Sequence, residues 1–311
     1  PAITPVGRKS LPYTNWFSFT QMARQHGLRP WSEAHWRMIR RYADLMVHGR
    51  QNTFWCPLAD VFKVSAQGAG AGTRVTGVEY GPSAPTAEAP VLDCARLRRI
   101  VKTFSDAGMY YIEGGHVATR SGHEWEATTF ELSLTGVPAT SAEGNAALTR
   151  ITRQLMEEIQ LNGWQGRWVQ HIADEPTHAN ATDYRVLAGM VRKYMPGIPI
   201  VDATLDTTIA GAVDIWCPQA QRYQERREHF EAQRAQGDRI WFYTCCFPGG
   251  PWLNRLLDME LLRPALLGWA AALYRLDGFL HWGLNHYRPN QDPFNQSVVS
   301  HGGGNFLPAG D

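Results

Sequence analysis

Asp174 and Glu175 are neighbouring carboxylates at the end of an apolar run, Arg167-Trp-Val-Gln-His-Ile-Ala-Asp-Glu-Pro176. Side by side, two such groups can divide labour. One gives and takes a proton while the other holds a dipole or steadies a developing positive charge. The bland alternative is a strand-end salt bridge or a helix N-cap. The surrounding residues decide between these readings.

Hydrophobic periodicity alternates along the chain. Strands are expected over Thr14–Phe19, Gln51–Leu58, Met109–Val117, Arg167–Ala173, Pro199–Leu205, Val213–Pro218, Arg239–Cys246 and Asp277–Asn285. Helical spacing falls between them, over Trp31–Val47, Asp93–Ala107, Ala142–Leu161, Thr182–Tyr194, Arg222–Gln236 and Leu253–Arg275. Apolar, unbroken strands separated by helices indicate parallel strands covered on their outer face. Eight of them predict an α/β fold, a (β/α)8 TIM-like barrel, over residues 14–288. Residues 1–13 read as a lead-in and 289–311 as a patternless tail running towards a flanking domain. A Gly-, Ala-, Ser- and Thr-rich insertion at about 60–90 follows the second strand, with a hairpin through Thr73–Tyr80.

In such a barrel the strand C-termini carry the chemistry. There the sequence gathers Asn15 and Trp16, Trp55, Glu113 and His116, and His171 with Asp174 and Glu175. It adds Asp202 and Asp206, Trp216 and Gln219, Tyr243, and then His281, Trp282, Asn285, His286 and Tyr287. The opposite ends show Arg167, Arg239 and Asp277, an ordinary solvated rim. Twelve tryptophans suit a carbohydrate cleft, since flat sugar faces stack on indole. Trp55, Trp216, Tyr243 and Trp282 are candidate walls, and Asn285, His286 and His116 candidate partners for sugar hydroxyls. Core packing is the competing reading for each aromatic residue.

A net charge of +1 gives no field that favours nucleic acid, and no apolar run is long enough for a membrane span. The five cysteines form neither a CxxC pair nor a zinc pattern, and no phosphate-cradling glycine motif follows a strand. Neither metal nor cofactor is expected. The partner expected is a carbohydrate.

Barrel glycosidases that retain configuration usually oppose two carboxylates from separate strands at about 5–5.5 Å. The seventh strand here, Trp241-Phe-Tyr-Thr-Cys-Cys-Phe247, offers no such nucleophile. A 2-acetamido sugar can supply its own, its amide oxygen closing on the anomeric carbon. That route needs one acid and one adjacent brace, which Asp174 and Glu175 provide. Burial among tryptophans and the charge of Asp174 would lift the Glu175 carboxyl to about 6–7. Side chains alternate along a strand, so the pair meets one sugar only if the chain bends at Asp174, with Pro176 holding Glu175 extended.

Asp174-Glu175-Pro176 after its apolar strand resembles the Asp-Glu motif of glycoside hydrolase family 123, the β-N-acetylgalactosaminidases. Trp241-Phe-Tyr…Pro264…Gly268-Trp269…Tyr274-Arg-Leu-Asp-Gly278-Phe-Leu-His-Trp282…Asn285 looks like the C-terminal half of that barrel. The resemblance covers most of residues 14–287. It implies metal-free, substrate-assisted, retaining hydrolysis of β-linked GalNAc through an oxazoline, with Asp174 supporting the acetamido group and Glu175 as acid/base. It also implies flanking β-sandwich domains. The cysteines do not reveal the compartment, and a secreted or periplasmic bacterial protein is the expectation. Two other classes remain open. One is a metal-dependent barrel hydrolase recruiting His116, His171, Asp202 and His286. The other is a non-catalytic carbohydrate-binding barrel.

Overall fold

The computed structural model describes residues 5–64, 73–75, 78–80, 89–287, 291–292, 295–296, 298–300 and 306–308. Eight short strands form one sheet: β1 (Tyr13–Asn15), β2 (Thr53–Cys56), β3 (Tyr111–Gly114), β4 (Trp168–Gln170), β5 (Val201–Thr204), β6 (Ile215–Pro218), β7 (Arg239–Tyr243) and β8 (Gly278–His281). They are hydrogen-bonded in the order β4-β3-β2-β1-β8-β7-β6-β5 and run parallel. A parallel bridge between Gln170 and Ile200 joins the two ends of that order, the closure a (β/α)8 barrel requires.

The helices between the strands include α1 (Glu33–His48), α2 (Cys94–Ala107), α3 (Ala142–Leu161), α4 (Ala181–Tyr194), α5 (Ala220–Glu225), α6 (Arg227–Ala235) and α7 (Leu262–Leu273). Ser32 and Ser141 cap α1 and α3, each accepting a backbone N–H three residues on. Asp93 does the same for Arg96 ahead of α2, as its position before the apolar run predicts. α1 buries Trp36, Ile39, Ala43 and Met46 on one side.

The chain divides into two compact units. The first comprises Pro1–Phe54, Thr103–Met109 and Cys217–Asp311. The second comprises Trp55–Lys102 and Tyr110–Trp216. In the second, Gly114 ends β3 where no side chain fits. A Cβ there would lie 2.4 Å from Gln170 Oε1 and 2.7 Å from the Trp168 indole nitrogen.

Several elements differ from the periodicity. The strands stop earlier than the apolar runs, because those runs continue into buried loop backbone held by side chains. Residues beyond Asn15 turn at Ser18 into a short helix, Phe19–Gln25, that the run through Phe19 conceals. The polar stretch 222–236 is two helices, broken at Arg226 where the backbone leaves the helical region (φ −120°, ψ 27°). The last long helix begins only at Leu262, since Asn254 spends its amide on Cys245 O and Pro248 O and holds the preceding segment in a loop. The loop after β3 contains an antiparallel pair, Ala118–Arg120 with Phe130–Leu132. The insertion does contain the hairpin Thr73–Val75 with Val78–Tyr80, and Phe62–Lys63 pairs with Val91–Leu92 at its base. The glycine-rich stretch 68–72 lies outside the described residues. The tail holds a paired element where none is expected, Val298–Ser300 with Phe306–Pro308.

Candidate active site

β4 ends at Gln170, and the next five residues leave the sheet. Their backbone is fixed from three sides of the second unit. His171 N donates to Gly114 O (3.1 Å), and Ala118 N donates to Ile172 O (2.9 Å). Ile172 N and Ala173 N both donate to one oxygen, Asp202 Oδ2, at 3.2 and 3.0 Å. The Arg120 guanidinium grips Glu175 O and lies 4.2 Å from the Trp125 ring centroid. Asp174 and Glu175 emerge from this frame partly exposed.

Glu175 has φ +46°. This overturns the expectation that Pro176 holds it extended. A non-glycine residue there costs on the order of 1–3 kcal/mol, and a following proline favours the extended region instead. The cost persists because Arg120 and the Asp202 clamp dictate the backbone on either side of the carboxyl pair. The bend also removes the alternation problem, since neither acid lies in a strand.

Beneath the turn is a fully buried polar network. His171 Nε2 lies 2.6 Å from Glu113 Oε1, and His171 Nδ1 lies 2.8 Å from Asp202 Oδ1. Tyr184 OH donates to Asp202 Oδ2 at 2.5 Å. Burial works against charge on His171, but hydrogen bonds to Asp202 and Glu113 and their charges outweigh it and raise its pKa to about 9. Burial pushes the Asp202 carboxyl up, and its donors act the other way. Four donors converge on this carboxyl, Ile172 N, Ala173 N and Tyr184 OH on Oδ2 and His171 Nδ1 on Oδ1. The imidazolium is therefore sandwiched between two carboxylates. His116, packed edge-on against His171 at 5.0 Å, is held well below the ordinary histidine range by burial, then by the charges of His171 and Arg120. Trp55 closes the group, 5.1 Å from His116 and 5.4 Å from His171.

His116, His171 and Asp202 form a cluster whose ligand atoms lie within 4.8 Å of one another. A metal there would have to displace a carboxylate from His171, because each ring nitrogen already faces one. The donor set suits an ion-paired imidazolium better than a ligand.

The other candidates sit in the first unit, except Trp216, which is fully buried in β6 of the second. Trp282 stacks on His286 with centroids 5.6 Å apart and stays partly exposed. Asn285, assigned above to sugar hydroxyls, is buried and uses its amide internally. Its Oδ1 accepts Ser18 N (2.8 Å) and its Nδ2 donates to Ser18 O (3.0 Å). Tyr243 is also buried, within β7. His281 Nδ1 donates to Thr244 O, leaving Nε2 to accept from Arg255. Sequence reasoning missed Arg120 and Trp125. Both fall in a polar loop, and only the antiparallel pair there brings Arg120 to Glu175. An exposed tryptophan in such a loop was the available signal.

The family described as "Glycoside hydrolase 123, catalytic domain" matches residues 99–311. Among solved structures, a family 123 glycoside hydrolase from Clostridium perfringens, studied for glycolipid glycan hydrolysis, is similar at 13% identity with a TM-score of 0.62. The match covers 96% of this chain and 56% of that one, so the chain spans little more than half of that protein. A family 5 glycoside hydrolase from Bacteroides vulgatus is similar at 11% identity, TM-score 0.52, covering 91% of this chain and 60% of that one. At these identities the likeness concerns the fold. No curated protein matches the chain.

Proposed function

The chain belongs to glycoside hydrolase family 123, and on that premise we propose that it is a retaining glycosidase acting on β-linked N-acetylgalactosamine or a related 2-acetamido sugar. The nucleophile is the sugar's own amide. Glu175 protonates the glycosidic oxygen as the bond to the anomeric carbon breaks, and the acetamido oxygen closes on that carbon. Asp174 accepts the amide N–H and balances the charge of the oxazolinium-like ring. Glu175, now a carboxylate, takes a proton from water, and that water opens the ring with net retention.

One observation carries this reading: two adjacent, partly exposed carboxylates in a strained turn after β4, with no carboxylate on β7 (Arg-Ile-Trp-Phe-Tyr) to serve as a separate nucleophile. The exposed Trp125 is a proposed stacking surface beside the acid, since Arg120 touches both Trp125 and Glu175. Trp55 and His116, packed on His171 in the same unit, are proposed to back the acid turn. The glycan of a glycolipid, which the C. perfringens protein hydrolyses, is one substrate within this class.

A panel of aryl β-GalNAc, β-GlcNAc and β-galactoside tests the assignment. The acetamido sugars are expected to turn over at least about a hundredfold faster than the galactoside, because a tethered nucleophile is worth orders of magnitude in effective concentration. A thiazoline mimic of the cyclic intermediate should inhibit. Equal rates on the plain galactoside would sink the reading.

A further inference from the structure

We propose that Asp202 is a positioning residue for the acid turn, clamping through one carboxylate oxygen the two amides that lead into Asp174. The inference rests on the reading of Asp174 and Glu175 given above.

Ile172 and Ala173 are buried, so their N–H groups need acceptors within the protein. Past the end of β4 both turn to Asp202 Oδ2, at 3.2 and 3.0 Å. Charge-assisted bonds of this kind are stronger and more directional than amide–carbonyl bonds. Asp202 is itself immobilised. His171 Nδ1 holds its other oxygen at 2.8 Å, Tyr184 OH shares Oδ2, and Glu113 fixes the far nitrogen of His171. The chain from β3 through His171 to β5 therefore ends on the backbone one residue before Asp174. Arg120 secures Glu175 O on the other side. Between those anchors lies the φ +46° residue whose carboxyl must meet a glycosidic oxygen.

A purely structural role would also explain a buried carboxylate with four donors, and stability alone does not separate the two. Position does. If the clamp aims the acid, loosening it harms reactions that need the proton more than reactions that do not. Asparagine at 202 keeps one oxygen but loses the charge that strengthens the two amide bonds, and its NH2 meets the hydrogen on His171 Nδ1. Phenylalanine at 184 deletes a single donor and leaves the ring in place.

The test uses the full chain with two glycosides of the preferred acetamido sugar. One bears phenol, a leaving group that needs protonation; the other bears 2,4-dinitrophenol, which does not. kcat/KM reports the first irreversible step, cleavage of the glycosidic bond. Asp202→Asn should lower kcat/KM for the phenyl glycoside about a hundredfold, the effect of a displacement near 1 Å, and the dinitrophenyl value at least about tenfold less. Tyr184→Phe should show the same asymmetry at a few-fold scale, and it decides the matter if Asp202→Asn does not fold. Equal proportional losses on both glycosides would make the network merely structural and overturn the proposal. Glu175→Gln is measured alongside. If that variant lacks the asymmetry, the acid assignment fails rather than the clamp.

Discussion

Glu175→Gln should lower kcat/KM on glycosides with poor leaving groups by about 10²–10⁴-fold, the usual worth of a positioned general acid. Glutamine keeps the shape of the side chain and the backbone grip of Arg120 on residue 175, so binding should survive. What disappears is the proton. A dinitrophenyl glycoside needs none to depart, so its first step should be largely spared. The second step still needs a base to deprotonate water, so a burst of aryl release followed by slow turnover is expected. Stopped-flow release curves for the two glycosides check this. A loss of the same size on both, without a burst, would remove Glu175 from the acid/base role.

His171→Ala should produce the largest loss of stability. It removes the cation between Glu113 and Asp202 and leaves two carboxylates facing each other in a dry interior. Deleting one member of such a buried set costs about 3–5 kcal/mol, because the remaining charges are uncompensated. In a chain of this size that corresponds to a Tm lower by roughly 5–8 °C. The pH dependence supplies the signature. The folded pKa of His171, about 9, lies above the unfolded value near 6.5. Its stabilisation is therefore complete below about 6.5 and fades as pH rises through 9. The parent should lose Tm over that alkaline window, and the alanine variant should lack that limb. An unchanged Tm, or the same alkaline slope in both proteins, would mean the imidazole is neutral.

The sequence disclosed the barrel because its strands are buried on both faces and its helices on one, and those two patterns differ in period. It drew attention to Asp174 and Glu175, the proposed acid pair, because adjacent carboxylates at the end of an apolar run have few structural uses. It could not disclose Glu175's left-handed backbone. Local preference before proline points the other way, and the conformation comes from Arg120 and Asp202, distant in sequence. Glu113, His171 and Asp202 were visible as polar residues at strand ends, but their pairing depends on barrel register. That register places Val169 opposite Glu113, so His171 follows two residues further on. Asn285 shows the converse. A polar residue near a strand end resembles a ligand-binding group, yet its amide is spent bracketing Ser18.

In the proposed reaction the substrate's amide oxygen attacks the anomeric carbon while Asp174 and Glu175 assist. Its most direct test is kcat/KM across aryl glycosides of the preferred sugar whose 2-acetamido methyl group is unfluorinated, mono-, di- or trifluorinated. Fluorine withdraws electrons from the amide oxygen and leaves the leaving group unchanged. kcat/KM should fall steeply with each added fluorine. A flat series would contradict attack by the amide oxygen.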